Sequence, residues 1–538
     1  MKFRNIKNTA KSFVILCILA PGISSCNKDF GDINKAWENK TYDATIPATY
    51  NYIASTMQDA GGIGTIYTSF LYQSTQLAAQ YAQSGYRLDN SVGGSWDSYY
   101  YALSNYYKVM DLIAASPDST KMTNVKAMLK TLLAYKALKT TTLFGDMPYS
   151  EAGKVFYGSA NFRPVYDPQS TIFSSALADL KWAIENFSTS SDQVSLGASE
   201  TVFQGDIAKW IKFANSARLR YALVMHDKDA TAADAVIADA LSKPLLVAGD
   251  DYGFYPATLS NAVYDRRGMY TGNSYVRMGS TMWHAMSSTD AEDGSGIYDL
   301  RAKIFFEPNS DGDWVPYPMN PGTSTASETG GNAGGIVNDP YDESRLTAWD
   351  VNGVYKFSPL NFYYVADKTF PQLFITSAEV SFLKAEIYNR GIGGVAANPA
   401  LAKQYYEEGV TESVKFWYGL ANGSSIWQVN KPAATPTALE LSTMLANPAV
   451  AYSATPSTAL EQIYKQSWIA FFHQPLEAWN LQRRPGGKTP AEALSPSSPV
   501  LNFNKLIYPT SETESNYDNW KAVTGGTNDE KVKPWFMP

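Results

Sequence analysis

Residues 124–149 read NVKAMLKTLLAYKALKTTTLFGDMPY, and this stretch indicates the fold class most clearly. Its apolar side chains recur at steps of three and four residues, the period of an α-helix with one buried face. They are Val125, Met128, Leu132, Tyr135 and Leu138. Gly145 and then Pro148 follow, a normal way for a helix to stop. The stretch therefore predicts a long amphipathic helix that ends in a turn.

Similar helical periodicity recurs along the chain on both sides of this helix. The predicted helices are Ser98–Ala115, Asn124–Phe144, Ser170–Asn186, Asp206–Met225, Thr376–Arg390, Lys403–Tyr418 and Ala459–Asn480. Asp167 and Pro168 are expected to cap and start the third of them. Long helices with short connections suggest antiparallel pairs stacked as in tetratricopeptide arrays. The consensus residues of tetratricopeptide repeats are not recognisable in the sequence, so this prediction depends on helix length alone.

The amino-acid composition changes between the two groups of predicted helices. Gly, Ser, Asn, Asp and Pro, interleaved with Tyr and Trp, dominate between about residues 246 and 365. Long loops of this kind are usually functional or disordered. We therefore expect one mostly α-helical domain over 46–538. Its helical scaffold would cover about 46–245 and 371–480, and its loop-rich, irregular half about 246–370 and 481–538.

The N-terminus has the pattern of an export signal. Residues 1–25 carry four basic and no acidic residues around the apolar run 13–20, which is far shorter than the roughly 20 residues of a membrane-spanning helix. Of the two cysteines, Cys17 would be removed with the signal, which leaves Cys26 as the first mature residue. We expect acylation of Cys26 and a flexible tether over 26–45. The alternative is an ordinary signal peptide cut elsewhere, with a free cysteine.

The composition of the mature chain limits the classes of partner that it is expected to bind. Without residues 1–25 the chain keeps 40 of its 44 basic residues and all 51 acidic ones, for a formal charge of about −11. Nucleic-acid binding is therefore not expected, because it requires a basic footprint. The 36 Tyr, 24 Phe and 13 Trp would mostly fill the core, but they also offer flat faces for sugars or apolar peptide side chains.

Few residues suit catalysis or metal binding. His226, His284 and His473 are the only histidines, and none stands in a metal-binding spacing such as HExxH. No GxSxG motif or phosphate loop is present, although carboxylates alone cannot exclude a glycosidase. No cofactor is expected. A structural Ca²⁺ could sit at 309–313 or 290–293, but neither has the full loop spacing, so solvated turns are favoured.

Several local motifs have a simple structural interpretation. Residues 144–149 are expected to form a helix C-cap and turn. The arginines near helix ends are expected to bind carboxylates such as Asp206 or Glu477 rather than a ligand. Those arginines are Arg218, Arg220, Arg483 and Arg484. Glu379 and Glu386 lie seven residues apart on one helix face, which favours structural pairing.

A collinear series of motifs resembles a known family. In chain order they are Asp32-Ile-Asn34, Leu143–Tyr149, Gly205-Asp206 with Lys209-Trp210, Phe213–Ser216, Arg218-Leu-Arg220, Tyr298–Arg301, Ala378-Glu379 with Ala385-Glu386, Glu477–Trp479 with Arg483-Arg484, and Tyr508-Pro509 with Glu512 and Asn516. No single motif is specific, but together they run through nearly the whole mature chain behind Cys26. The chain resembles the SusD/RagB outer-membrane lipoproteins of Bacteroidetes, in the starch-binding-associated branch.

The resemblance implies a SusD-like fold with tetratricopeptide-like helix pairs and an irregular ligand-binding half. It also implies a surface lipoprotein of the outer membrane that faces the cell exterior and catalyses no reaction. Such a protein captures an oligosaccharide or oligopeptide and forms the lid of a SusC-like, TonB-dependent transporter. A helical scaffold that organises surface complexes without a small ligand remains the alternative. The residues do not decide between glycan and peptide.

Candidate ligand contacts are aromatic residues in two stretches. The early stretch contributes Tyr86, Arg87, Trp96, Tyr99 and Tyr100. The loop-rich middle contributes Tyr270, Tyr275, Trp283, Trp314 and Tyr317. Aromatic faces would stack on sugar rings while polar side chains bind hydroxyl groups. Each of these rings could instead anchor its own loop or contact the transporter.

Overall fold

The computed structural model describes residues 44–58, 66–80, 92–254, 276–309, 311–319, 356–367, 370–424, 427, 430–484, 488–494 and 503–538. The predicted signal and Cys26 lie outside these residues, as does the tether except for its last two positions. Among the described helices none is long and apolar enough to cross a membrane.

Among the described residues, six longer helices form the first half of the scaffold. They are α1 (Ile46–Ser55), α2 (Val92–Ala115), α3 (Thr123–Phe144), α4 (Gln169–Asn186), α5 (Ile207–Met225) and α6 (Ala230–Leu241). Each packs against the next one in this series, as in stacked helix pairs. The sequence predicted α2 to α5 but missed α6, whose only large buried apolar side chain is Ile237.

The turn after α3 has the predicted C-cap but an unexpected partner. Gly145 adopts φ +84° after Phe144, a left-handed conformation that suits glycine. Asp146 Oδ1 then accepts the N–H of Gln169 at 2.8 Å and thereby caps α4. Asp167, which we expected in that role, instead accepts the N–H groups of Tyr149 and Ser150. The prediction for Asp167 was wrong because its side chain turns back to the 147–150 turn.

A second group of helices lies within and after the loop-rich region. Its longer members are α7 (Ser280–Met286), α8 (Ser377–Arg390), α9 (Pro399–Gly423), α10 (Ala438–Ala446), α11 (Pro456–Ala470) and α12 (Pro475–Arg483), and two short helices lie at Ala302–Phe305 and Phe362–Ala366. Helix α8 packs along α9 and also contacts α11 and α5. The predicted single helix 459–480 was wrong. It is interrupted by a 3₁₀ turn at Phe471–His473 and restarts at Pro475, because proline cannot continue a helix interior.

In the part of the chain that the structure describes, three small antiparallel sheets join segments that are separated in sequence. Strand β1 (Ala79–Gln80) pairs with β5 (Val276–Arg277), β2 (Met147–Pro148) with β3 (Tyr166–Asp167), and β4 (Tyr252–Phe254) with β6 (Gln372–Ile375). The mostly α-helical fold is thus confirmed. The tail is less irregular than predicted, since it contains a short helix Thr510–Ser515 and α13 (Tyr517–Thr524).

A buried ion-pair network joins the two groups of helices. Arg220 of α5 donates to both carboxylate oxygens of Glu379 on α8, at 2.5 and 2.6 Å. It also donates to Glu477 of α12 at 3.3 Å and to the carbonyl of Phe374 at 2.6 Å. All three charged side chains are nearly inaccessible to solvent. The prediction that arginines bind carboxylates is confirmed for Arg220 and Glu477.

The other predicted arginines are also engaged inside the protein. Arg484 donates to Glu386 at 2.7 Å, so both Glu379 and Glu386 have structural partners. Burial opposes ionisation of Glu386, but the positive charges of Arg484 and Arg390 outweigh it and hold the pKa of this carboxyl below its usual range. The prediction was wrong for Arg483, which has no carboxylate partner among the described residues. It lies over the ring of Trp479 at 3.5 Å and donates to the carbonyl of Asn504 at 2.7 Å. These side chains are therefore structural.

Replacing Glu379 with glutamine should destabilise the protein strongly. The change keeps the shape but removes the negative charge that faces buried Arg220. We expect a loss of about 3–5 kcal/mol in the free energy of unfolding, measured by urea denaturation. Glu407→Ala is the control, because its pair with Lys403 is exposed and should contribute less than about 1 kcal/mol. Equal losses in the two variants would contradict a dominant role for the buried network.

Candidate functional site: an aromatic groove

The structure describes only part of the predicted ligand contacts. Tyr86, Arg87, Tyr270 and Tyr275 lie outside the described residues, and so does Cys26. Their predicted roles stay predictions.

The early aromatic residues of α2 lie inside the protein. Trp96 and Tyr99 are buried, and the Trp96 ring packs edge-on against Phe144 and Tyr508 at 5.0 and 5.6 Å. Tyr100 is half-buried and donates its hydroxyl to the carbonyl of Pro148 at 2.9 Å. These contacts favour a packing role, so direct ligand contact by these three side chains stays a prediction without structural support.

The later aromatic residues lie at the edge of the core. The rings of Trp283 and Trp314 are parallel within 12°, with centroids 6.2 Å apart. Tyr317 packs edge-on against Phe357 at 4.9 Å. All three predicted residues are buried, but Trp314 also lines an open groove. Of the described predicted contacts, Trp314 alone therefore reaches a concave surface suited to a ligand.

This concave surface, the aromatic groove, has a volume of about 1120 Å³ including its open mouth. It lies between the 297–308 segment, the C-terminal end of α9 and the 427–440 segment. Its lining residues are Ile297, Tyr298, Asp299, Leu300, Lys303, Ile304, Pro308, Trp314, Tyr418, Trp427, Asn430, Pro432 and Glu440. Four aromatic rings among few charged groups are typical of a small-molecule or glycan site.

Two half-buried tyrosines provide accessible ring surface in the groove. The hydroxyl of Tyr298 donates to the carbonyl of Ala285 at 2.5 Å and accepts from Lys465 at 3.0 Å. These bonds fix the ring. Burial raises the pKa of Tyr418, and the nearby carboxylates of Glu440 and Asp299 raise it further, so its hydroxyl stays neutral and can donate.

Trp427 supports the other wall. Its ring stacks on Tyr363 at 4.9 Å with only 6° between the planes. Asn430 follows in a left-handed conformation with φ +54°, which is uncommon outside glycine and is often found at functional sites. Asn430 and Lys303 are exposed at the rim, where their side chains are accessible to hydroxyl groups of a ligand.

The base of the groove is held by a buried arginine. Arg301 donates to both carboxylate oxygens of Asp299, at 2.9 and 2.6 Å, and to Gln466 and Ser413. Glu440 at the rim belongs to a capping box with Thr437, whose hydrogen bonds lower the pKa of the Glu440 carboxyl. The two groove carboxylates therefore already have structural partners, and the groove is better suited to binding than to acid–base chemistry.

Tyr418 and Trp427 were not predicted as ligand contacts from the sequence, and Tyr298 was noted only in the Tyr298–Arg301 motif of the family resemblance. One signal was available. Phe416, Trp417 and Tyr418 are consecutive, and three successive side chains on a helix point in different directions. Trp417 is buried, whereas Phe416 and Tyr418 are half-buried. Such a triplet must present some aromatic surface outside the core.

The two stretches considered for calcium form hydrogen-bonded turns. Asn309 Oδ1 accepts the N–H groups of Asp311 and Asp313 at 2.9 and 2.8 Å. Asp290 contacts His284 at 3.2 Å, and Asp293 accepts from the Ser295 N–H at 2.9 Å. Within the described ranges, no group of three or more acidic, His or Cys side chains could hold a metal ion.

A second concavity contains tyrosines that bind one another. The hydroxyl of Tyr72 lies 3.1 Å from that of Tyr364 and donates to the carbonyl of Phe472 at 2.8 Å. Tyr364 in turn contacts His473 Nδ1 at 2.7 Å. These polar groups satisfy each other, so this cleft is a weaker candidate than the aromatic groove.

Comparisons with known proteins place the chain among relatives. The model of the SusD-like family described as "Starch-binding associating with outer membrane" matches residues 34–493. A comparison with curated protein sequences finds no match.

Solved structures share the fold. A chitin-binding protein has 22% identity and a TM-score of 0.67, and the match covers 92% of this chain and 100% of the relative. A SusD homolog from Parabacteroides distasonis has 20% identity and a TM-score of 0.68 over 91% and 98% of the two chains. A chitin-binding SusD homolog from Flavobacterium johnsoniae has 19% identity and a TM-score of 0.64 over 91% and 98%. At these identities the likeness shows the fold alone.

Gly294 sets the position of Trp314 in the groove wall. A Cβ at Gly294 would lie 2.7 Å from Cδ1 and Nε1 of Trp314, and the φ of +73° at Gly294 disfavours any other residue. Gly294→Ala should therefore lower the free energy of unfolding by about 1–3 kcal/mol and change the tryptophan fluorescence. Gly312→Ala is the matched control, since Gly312 also has a positive φ, of +91°, but a Cβ there would have no other atom within 4 Å. A fluorescence change as large in the control would contradict this account.

Proposed function

The chain belongs to the SusD-like family, described as starch-binding and associated with the outer membrane. We propose that its aromatic groove captures an oligosaccharide. The observation that carries the proposal is the pair of half-exposed rings, Tyr298 and Tyr418, in a groove lined by Trp314 and Trp427. Flat aromatic faces pack on the C–H faces of sugar rings. Polar groups at the rim can bind the hydroxyl groups.

The groove favours a glycan over a peptide as cargo. A peptide that binds by strand addition would need an exposed strand edge to pair with. No described strand lines the groove, whose walls are side chains from the end of α9, the short helix Ala302–Phe305, the start of α10 and the loops beside them. Two of the structurally similar proteins are described as chitin-binding, which is consistent with a saccharide ligand. The identity of the saccharide stays open between starch-like and chitin-like oligomers.

We further propose that the protein acts as a lipid-anchored lid of a SusC-like, TonB-dependent transporter. The membrane anchor would be Cys26, and the chain would face the cell exterior. A lid must both capture and release its cargo, so the few aromatic anchors of the groove suit moderate affinity. No catalysed step is needed, which fits a family of binding proteins and the engaged carboxylates of Asp299 and Glu440.

Removal of one groove ring should weaken glycan binding without unfolding the protein. We expect Tyr418→Ala to reduce the affinity for the best-bound malto- or chito-oligosaccharide about tenfold, or ~1.4 kcal/mol, by isothermal titration calorimetry. Tyr405→Ala is the control, because Tyr405 is a half-buried ring of the same helix that stacks on Tyr388 away from the groove. Unchanged affinity in Tyr418→Ala would place the ligand elsewhere.

Affinity purification from detergent-solubilised outer membrane tests the partner and the anchor together. The tagged wild-type chain should recover a large β-barrel protein, whereas a scaffold without transport function should not. In a strain that lacks the transporter, a high-salt wash should release Cys26→Ala from the membrane fraction but not the wild-type chain, because only the wild-type chain can be acylated. Absence of the barrel would contradict the lid, and equal retention of Cys26→Ala and the wild-type chain after the wash would contradict the anchor.

A further inference from the structure

The segment 155–165, which follows the turn after α3, exposes an unusual amount of apolar surface. Five of its side chains are between 45% and 59% exposed, and together we call them the apolar ledge. They are Val155, Phe156, Tyr157, Phe162 and Val165. Scattered exposed apolar residues are normal, but a contiguous cluster usually marks an interaction surface.

The backbone below the apolar ledge is held in place by polar contacts. Asn519 of α13 donates to the carbonyl of Arg163 at 3.0 Å, and Asn516 donates to that of Pro164 at 2.9 Å. The Tyr157 hydroxyl donates to Asp111 of α2 at 2.5 Å. The ledge is thus a supported surface whose apolar side chains point outward.

The charge of the segment differs from that of the whole protein. Within the segment itself, between Glu151 and Asp167, there is no acidic residue and Lys154 and Arg163 are both present. Asp111 of α2, which accepts from Tyr157, is the carboxylate that contacts the ledge from outside the segment. The chain as a whole has a formal charge of −7. Aromatic side chains beside cationic ones are typical of surfaces that rest on anionic lipid headgroups, where the rings enter the interface and the cations bind phosphate.

The position of the ledge suits the end of the chain that leads to the membrane. Helix α1, which follows the tether, packs on α2. The ledge segment packs on the same helix, where Gly153 lies against Leu103. Ala44, the first described residue, stands only 18 positions after Cys26, a span of at most about 60 Å. An acylated Cys26 would therefore keep the body, and the ledge with it, within reach of the lipid surface.

We propose that the apolar ledge rests on a lipid surface with anionic headgroups, as a second membrane contact beside the acyl anchor. The inference depends on the proposed membrane anchoring but not on the cargo of the aromatic groove. Contact at the ledge would orient the body on the membrane, because a flexible tether alone sets only a distance. Two weak membrane signals together also hold a protein more stably than one.

Vesicle binding by the non-acylated protein tests the ledge. The mature chain with Cys26→Ser is mixed with vesicles of phosphatidylcholine and phosphatidylglycerol at roughly 3:1, or of phosphatidylcholine alone. We expect cosedimentation with the anionic vesicles and about tenfold weaker binding when Phe156 and Phe162 are both changed to serine. Leu439→Ser is the control, since Leu439 is 75% exposed but lies on α10, away from the ledge.

Site-specific labelling supplies a second readout. The Cys26→Ser mature chain contains no cysteine, so Ser159→Cys can carry a single polarity-sensitive fluorophore. Its emission should shift to the blue on anionic vesicles. Absence of both binding and shift would overturn the proposal. Vesicle binding of the Phe156→Ser/Phe162→Ser variant equal to that of its parent chain would also overturn it. If the parent chain does not bind vesicles and the double variant no longer recovers the β-barrel partner, the ledge is a protein contact instead. Neither result bears on glycan affinity, so the proposed cargo is tested separately.

Discussion

The buried fork of Arg220 with Glu379 and Glu477 is the interaction on which the arrangement of the two helical groups depends. It connects α5 of the first group with α8 and α12 of the second, in surroundings that exclude water. Desolvation of three charges is costly, and only this complete set of partners offsets it. The network therefore favours one docking geometry and penalises any other.

Helix α9 links the docking of the two helical groups to the aromatic groove. Helix α8 carries Glu379 near its start and packs along α9, whose C-terminal turns carry Tyr418. The base of the groove is fixed by the separate fork of Arg301 on Asp299. Ligand-facing rings thus stand on a framework that is set by buried ion pairs. Since such a framework resists deformation, the groove should bind its ligand with little rearrangement.

The helices were predictable where apolar periodicity was strong, as in α2 to α5, α8 and α9. Helix α10 was missed because it is short and buries only Met444, and α6 because it is rich in alanine. Pairing of arginines with acids was predictable from residue type, but not the partners, which come from distant segments. The site was harder to predict. Trp314 reaches the groove and Trp96 does not, although both are tryptophans in aromatic surroundings, because burial is decided by tertiary packing.

In the proposed complex, a saccharide lies on the rings of Tyr298 and Tyr418. A crystal structure of the mature chain with the malto- or chito-oligosaccharide that binds most tightly in calorimetry would locate the ligand. We expect sugar rings packed on these two tyrosines, with hydroxyl groups near Asn430 and Lys303. Sugar bound at another surface, with the aromatic groove empty, would overturn the proposed binding site.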